Sequence, residues 1–232
     1  MPSAAESQAV LAVDVGGSHV KILASGETEP RRLPSGPMLS PHEMVAGVID
    51  AAEGWAWDVV AVGVPAVVMG GRVVSDPVHL GAGWVAFDFQ AAFAKPTKVV
   101  NDAAMQAVGS FEGGKMLFLS LGTGLGSALI DAGTLEPMEL GHLPFRKGTF
   151  EDYVGERGLK RLGKKRWREA VNETVQRLAA ALEPDYVTLG GGNAGKLSEL
   201  PSGTRLGGNE HAFTGGFRLW QQSPGSLDIR QM

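Results

Sequence analysis

Leu11-Ala-Val-Asp-Val-Gly-Gly-Ser-His-Val-Lys-Ile22 decides how the rest of the chain is read. An apolar run leads into a glycine pair, and a half-apolar run leaves it. The layout returns at Phe118-Leu-Ser-Leu-Gly-Thr-Gly-Leu-Gly-Ser-Ala-Leu-Ile130. Both stretches read as strand–glycine–strand hairpins whose turns can approach phosphate with bare backbone. Glycine carries no side chain and tolerates positive φ, so successive N–H groups can form a concave anion site. Gly16, Gly17, Ser18 and Lys21 in the first hairpin, and Gly122, Thr123 and Gly124 in the second, are the candidate phosphate-binding residues. Asp14 would not bind phosphate itself. Hard cations prefer oxygen ligands, so its carboxylate is a candidate indirect holder of Mg²⁺.

The common nucleotide loops do not fit. A dinucleotide fingerprint is G-x-G-x-x-G opening a helix, whereas Gly122-Thr-Gly124-Leu-Gly126 has other spacing and leads into a strand. Gly158-Leu-Lys-Arg-Leu-Gly163-Lys164-Lys165 approaches a P-loop but ends in Lys and follows a charged helical segment.

Composition narrows the class. With 232 residues, 44% hydrophobic and 20% charged, the chain reads as globular and long enough for a sizeable core. A net charge of -4 gives no global case for nucleic-acid binding. The absence of cysteine excludes disulfides, Cys-ligated zinc and thiol nucleophiles. No signal-peptide pattern opens the chain, and the longest apolar stretch, Val59 to Met69, is too short to span a bilayer. A soluble cytoplasmic protein without membrane contact is the expectation.

Further elements follow from local pattern. Residues 1–8 read as a loose tail and Pro30–Leu33 as a third strand. Ser40-Pro41-His-Glu43 places an N-cap, Pro at N1 and Glu at N3, opening a helix to about Glu53. Asp58–Val64 is an apolar, buried strand, and Ala66–Ser75 a hairpin about Gly70-Gly71. A short helix over Phe87–Ala94, a strand over Thr97–Val100 and a helix over Ala103–Gly109 come next, then a strand at Leu135–Glu139. Arg166–Leu182 carries Trp167, Val171, Val175, Leu178 and Leu182 on one helical face. Tyr186–Leu189 is a strand running into Gly190-Gly191-Gly192-Asn193, and Ala212–Gln221 a last helix. Helices alternating with strands, several of them hairpins, predict an α/β fold with mixed sheets. Two lobes are expected, 1–112 and 113–232, with the last helix able to return to the first.

Several polar groups stand at strand ends, where α/β sheets place ligands. Asn101-Asp102 reads either as a helix cap or as a substrate ligand followed by a catalytic base. Glu139-Leu-Gly-His142 and Glu151 read either as surface polar groups or as hydrogen-bond partners of sugar hydroxyls. Gly191, Gly192 and Asn193 read either as a turn or as room for a flat ring or phosphate. Arg157, Lys160, Arg161, Lys164, Lys165, Arg166 and Arg168 read either as a solvated helical face or as a groove for a long polyanion.

Together and in this order, these motifs resemble the ROK family of sugar kinases and related regulators, over nearly the whole chain. The resemblance implies a two-lobed actin-like ATPase (ribonuclease H-like) fold. Asp14-Val-Gly-Gly-Ser18 and Leu121-Gly-Thr-Gly124 are similar to the family's two phosphate loops, and Leu80-Gly-Ala-Gly83-Trp84 to its sugar-side loop. Asn101-Asp102 matches the substrate-binding Asn and catalytic Asp, and Glu139-Leu-Gly-His142 its Glu and His. Gly190-Gly-Gly-Asn193 resembles the adenosine-side loop, and Gly215-Gly-Phe-Arg-Leu-Trp220 the closing helix. The activity implied is transfer of a phosphoryl group to the 6-hydroxyl of a hexose, most simply glucose. Asp102 would be the base, with Asn101, Glu139, His142, Glu151 and Gly83 at the sugar and Mg²⁺ near Asp14.

The chain departs from the family twice. The cysteine-rich zinc motif that often follows the Gly-His is missing, so no zinc is expected and His142 is free for sugar. The segment between Glu151 and Gly190 is shorter than usual. Both departures resemble the polyphosphate-glucokinase-like branch, so polyphosphate is an expected donor beside ATP, with Lys164, Lys165 and Arg168 as its contacts. First-strand residues near position 9 leave no room for the helix-turn-helix of the family's regulators. A non-catalytic sugar sensor, or an ATP-only kinase for mannose or an N-acetyl sugar, remains the alternative. A homodimer is compatible with all of these.

Overall fold

The computed structural model describes residues 8–208 and 210–221. The tail expected over residues 1–8 lies outside them, apart from Gln8. β1 (Val10–Val15) and β2 (His19–Ala24) form the first glycine hairpin, with Asp14 opposite Lys21. β3 (Arg31–Pro34) continues the meander. α1 (Pro41–Ala51) opens on the expected capping box: the Glu43 amide donates to Ser40 Oγ and the Ser40 amide donates to the Glu43 carboxylate. β4 (Val59–Val64), buried along its whole length, runs parallel to β1. β5 (Val68–Met69) and β6 (Arg72–Val73) flank the Gly70-Gly71 turn. α2 (Phe89–Phe93) leads into β7 (Thr97–Asn101), parallel to β4. The first sheet is ordered β3-β2-β1-β4-β7.

α3 (Asp102–Ser110) crosses to the second sheet. β8 (Met116–Leu121), β9 (Leu125–Asp131) and β10 (Thr134–Met138) form a second antiparallel meander around the second glycine turn. A 3-10 turn at Leu140–His142 precedes a small hairpin, β11 (Pro144–Phe145) and β12 (Gly148–Thr149), and α4 (Phe150–Val154). After α5 (Glu156–Leu182), β13 (Tyr186–Gly190) and β14 (Thr204–Leu206) add in parallel to β8. The order is β10-β9-β8-β13-β14, so both sheets follow one plan. α6 (His211–Arg218) ends the described secondary structure.

The alternation of side chains along each strand sets the layers. Leu11, Val13 and Val15 face α1 and α2, while Ala12 and Ala61 face α6. Met116, Phe118, Ala128 and Ile130 face α3, while Leu117, Leu119 and Val187 pack against Trp167, Val171, Val175 and Leu178 of α5. α3 and α6 thus lie between the sheets, and they cross at glycine. A Cβ on Gly109 would collide with the His211 carbonyl, and one on Gly215 with that of Met105. Arg218 donates from one guanidinium nitrogen to the carbonyls of Val108, Gly109 and Phe111, satisfying the C-terminal end of α3.

Three expectations need correction. The long helix starts at Glu156 rather than Arg166, with a break at Gly163 (φ 73°, ψ 162°). Residues 156–162 carry too many charges to show an apolar stripe, which hid that part. The last helix covers His211–Arg218, because Leu219–Trp220 turn away so that Lys98 Nζ donates to Leu219 O (2.7 Å) and Trp220 Nε1 to Val60 O (3.1 Å). The short strands β11, β12 and β14 were not expected, since two or three half-exposed residues carry no period. Among the described residues no helix is long and apolar enough to cross a membrane.

Candidate active site

The ends of β1, β7 and β10 and the turn of the second hairpin bring most of the candidate residues together. Asn101 caps α3: its Oδ1 accepts from the amides of Ala103 (2.9 Å) and Ala104 (3.1 Å), and its Nδ2 donates to Ala66 O (3.1 Å). The cap fixes Asp102 as the first helical residue, with its Oδ1 accepting from the Ala103 amide at 2.8 Å. Burial pushes the Asp102 carboxyl up to about 7, and the charges of Asp14 and Glu139 push the same way against that amide bond. A carboxyl with such a pKa suits proton transfer near neutrality.

Asp14 is raised by burial, opposed by Lys21, whose Nζ lies 3.7 Å from Asp14 Oδ2. Gly16 closes the first turn by donating to His19 O at 3.0 Å, and any Cβ there would sit 2.9 Å from that oxygen. Gly17 abuts His79, while Ser18 is exposed.

The second turn is bound to its surroundings. The Glu156 amide, at the start of α5, donates to Gly122 O (2.9 Å) and Thr123 O (3.1 Å). Asn193 donates from its amide to Leu121 O (2.8 Å) and from Nδ2 to Gly122 O (3.0 Å). Gly191, at φ +82°, passes so close to Leu121 that a Cβ would come within 2.6 Å of its carbonyl. Gly192 stays exposed beside it. The second and third glycine segments are therefore one unit. Glu151, on α4, presses against Gly124 and pairs with Arg157 at 3.6 Å.

Glu139 Oε2 lies 3.8 Å from His142 Nδ1, both side chains half-exposed or more. Burial raises the Glu139 carboxyl, with His142 opposing and Glu151 adding. Ser127 fixes this turn: its Oγ donates to Met138 O (2.7 Å) and accepts from the Leu140 amide (3.1 Å). Gly141 is needed because a Cβ would come within 2.6 Å of Leu125 O. From His142 to Glu151 the chain is held by aromatic packing, Phe145 stacked on Phe150 with ring centres 4.8 Å apart and Arg146 over Phe145.

Other candidates stand apart from this group. Gly83 is exposed at φ +97° with Pro41 its nearest cross-chain neighbour, and the adjoining Trp84 is a buried anchor whose Nε1 donates to Leu39 O at 3.3 Å. Along α5, Lys160 pairs with Glu156 and Arg161 donates to Asp152 O. Arg168 donates from two nitrogens to Lys196 O, at 3.0 and 2.7 Å, so its guanidinium is engaged by backbone. Lys164, Lys165 and Arg166 are exposed and enter no ion pair among the described residues.

No protein-family model matches the chain, and no curated protein is similar to it in sequence. Solved structures share its architecture. The inorganic polyphosphate/ATP-glucomannokinase from Arthrobacter sp. strain KM is similar at TM-score 0.75 and 22% identity, over 90% of this chain and 97% of that one. A ROK family glucokinase from Streptomyces griseus, solved with glucose and AMPPNP, gives TM-score 0.74 at 16% identity, over 93% and 100%. The chain has the fold of the ROK sugar kinases. A ROK family transcriptional regulator, a homologue of E. coli MLC protein, shares it at TM-score 0.69 and 13% identity, over 91% of this chain and 77% of that one.

Within this ROK fold, two residues escaped the sequence reading. Lys196 Nζ donates to Asn193 Oδ1 at 2.6 Å, placing a cation at the joined glycine segments. A Lys three residues after a glycine–Asn loop is a weak local signal. Ser127 gave none, because its partners on the far side of β10 are set by tertiary structure.

Proposed function

We propose that this chain is a hexokinase-type enzyme that phosphorylates the 6-hydroxyl of a hexose, glucose first, using polyphosphate and ATP as donors in the cytoplasm. The observation that carries the reading is the Asp102 carboxyl. It is fixed by the Asn101 cap and held between Asp14 and Glu139 with its pKa near neutrality. Ionised Asp102 accepts the proton of the sugar hydroxyl. The sugar oxygen forms its bond to the donor's terminal phosphorus while the bridging P–O bond breaks, and the leaving phosphate keeps that electron pair. Such transfer depends mainly on positioning and charge stabilisation.

Asn101, Glu139, His142 and Glu151 hold the hexose, and Gly83 joins them when the lobes 1–112 and 113–232 close and exclude water. The Gly16–Gly17 and Gly122–Gly124 turns receive the donor phosphates. Asp14 fits Mg²⁺, being a buried carboxylate with Lys21 Nζ, at 3.7 Å, as its cation among the described residues. Mg²⁺ is commonly held by one or two carboxylates plus substrate phosphates, a role that a single buried carboxylate such as Asp14 suits. When bound there, Mg²⁺ supplies charge neutralisation. Lys164 and Lys165, exposed and in no ion pair among the described residues, support polyphosphate as a donor, with Arg168 holding the Lys196 loop rather than the polyanion.

A matrix of hexoses against ATP and polyphosphate, scored for sugar 6-phosphate, tests the reading. Glucose 6-phosphate from at least one donor is expected. Sugar binding by calorimetry with no product from any pair would leave the sensor in its place.

A further inference from the structure

Lys196 stands where β13, α5 and the second glycine turn meet. It ends the 3-10 turn Ala194–Lys196, with its amide donating to Asn193 O at 3.0 Å. Ala194 is buried in the core of the second lobe and Leu197 packs against that core, so the turn is seated from below. Arg168 holds it from the side, with two guanidinium nitrogens donating to Lys196 O. The backbone of Lys196 is thereby fixed while its side chain is exposed. Nζ donates to Asn193 Oδ1 at 2.6 Å and enters no ion pair among the described residues. An ammonium has three hydrogens to donate, so two remain.

The ground around that ammonium suits an anion. Asn193 donates to Leu121 O and Gly122 O, and the Glu156 amide donates to Gly122 O and Thr123 O. The three carbonyls that would repel a phosphate are therefore all turned onto donors. Glu156 pairs with Lys160 at 2.6 Å, and that bond is the main reason its carboxyl sits low, with Lys196 adding from further off. Glycine backbone, spent carbonyls and a lysine with hydrogens to spare match a phosphate group, which lysine binds as a point charge.

On its other side Lys196 reaches the basic stretch of α5. Lys164 and Lys165 precede Arg168 by four and three residues, so the three are neighbours on the helix surface, and both lysines are exposed. Because Arg168 grips the Lys196 carbonyl, Lys196 stands between the Gly122–Gly124 turn and these lysines.

We infer that Lys196 binds a donor phosphate next to the one seated at the Gly122–Gly124 turn, with Arg168 as its positioning residue, and so carries a phosphate chain from that turn to Lys164 and Lys165. The inference rests on the kinase reading and adds to it the residue that grips the donor. The chemistry recognised is a linear run of phosphates, whether the triphosphate of ATP or the inorganic chain.

The experiment compares Lys196→Met, Lys196→Arg and Arg168→Gln with the parent, using ATP, tripolyphosphate and long-chain polyphosphate as donors. Lys196→Met removes the charge at similar length and raises KM roughly 10–100-fold for ATP and for the long chain, with hexose KM unchanged. Lys196→Arg keeps most of the affinity. Arg168→Gln leaves the lysine but frees its loop, and raises donor KM by a smaller factor with kcat held. The parent uses the long chain better than tripolyphosphate, and Lys196→Met abolishes that preference. Unchanged donor KM in Lys196→Met, or an equal rise in Lys196→Arg, overturns the inference. A rise for ATP that spares the long chain overturns it as well. Should no hexose be phosphorylated, the kinase reading fails by itself and calorimetry with tripolyphosphate and long-chain polyphosphate decides: weaker binding by Lys196→Met supports the lysine, and equal binding overturns it.

Discussion

The two glycine hairpins share a sheet plan and differ in what holds them. The Gly16–Ser18 turn is closed by its own backbone, with the Asp14–Lys21 pair beneath it on the strands. The Gly122–Gly124 turn is tied from outside, by the α5 N-terminus, by Asn193 and by the close approach of Gly191. The first hairpin thus carries its chemistry in its strands. The second depends on a loop nearly seventy residues further along the chain. The contrast shows how one local design serves two mechanical purposes, a charge holder and a seat assembled from several elements.

The largest effect belongs to the group between the hairpins. Asp102→Asn keeps the Ala103 amide bond and the hexose site but lowers kcat by about 10²–10⁴-fold, as read in a coupled assay beside sugar titration. The same variant reads the burial of the acid through stability. A carboxyl that is harder to ionise folded than unfolded makes the fold bind more protons between pH 4 and 7, so stability falls across that window. Asn removes this cost, up to about 4 kcal/mol above pH 7. The variant's Tm at pH 8 should therefore exceed that of the parent by several degrees, with the gap closing below pH 4. A Tm gap that does not vary with pH would mean that Asp102 is not a raised acid.

The pH profile of turnover gives the next largest change. The base works ionised, so kcat/KM falls about tenfold per pH unit below the Asp102 pKa of about 7 and is flat above it. Then the hairpins themselves can be set apart. Asn193→Ala strips the Gly122 carbonyl and Lys196 of a partner and costs roughly 1–3 kcal/mol, raising donor KM without moving hexose KM. Ser18→Ala, on the self-closed turn, changes stability by less than about 0.5 kcal/mol. Equal losses at both positions would erase the distinction between the turns. The smallest effect is on α5: Lys164→Glu with Lys165→Glu weakens polyphosphate use several-fold and leaves ATP kinetics as they were, whereas equal changes would remove the helix from donor binding.

The sequence made the hairpins, the capped α1 and the strand before Asn101 readable because each is a local pattern: apolar runs, glycine at the turn, a cap at fixed spacing. It also made both readings of Asn101-Asp102 available, and the structure shows that the cap is made. The role of Asn193 was open because the carbonyl it meets is 71 residues away. The kink at Gly163 concealed the start of α5, and β14 is a parallel edge strand whose partner, β13, supplies the order its own three residues lack.

Arg218 gives the Asp102 helix a dependence on the order of synthesis. Asp102 stands at the positive end of the α3 dipole, and Arg218 sets a full positive charge on the carbonyls at the negative end. Those carbonyls have emerged from the ribosome more than a hundred residues before their cation is made. Until Arg218 is made, α3 has its Asn101 cap at one end but leaves the carbonyls of Val108, Gly109 and Phe111 without their cation at the other. The Asp102 helix is therefore completed, at its far end, among the last packing events of synthesis.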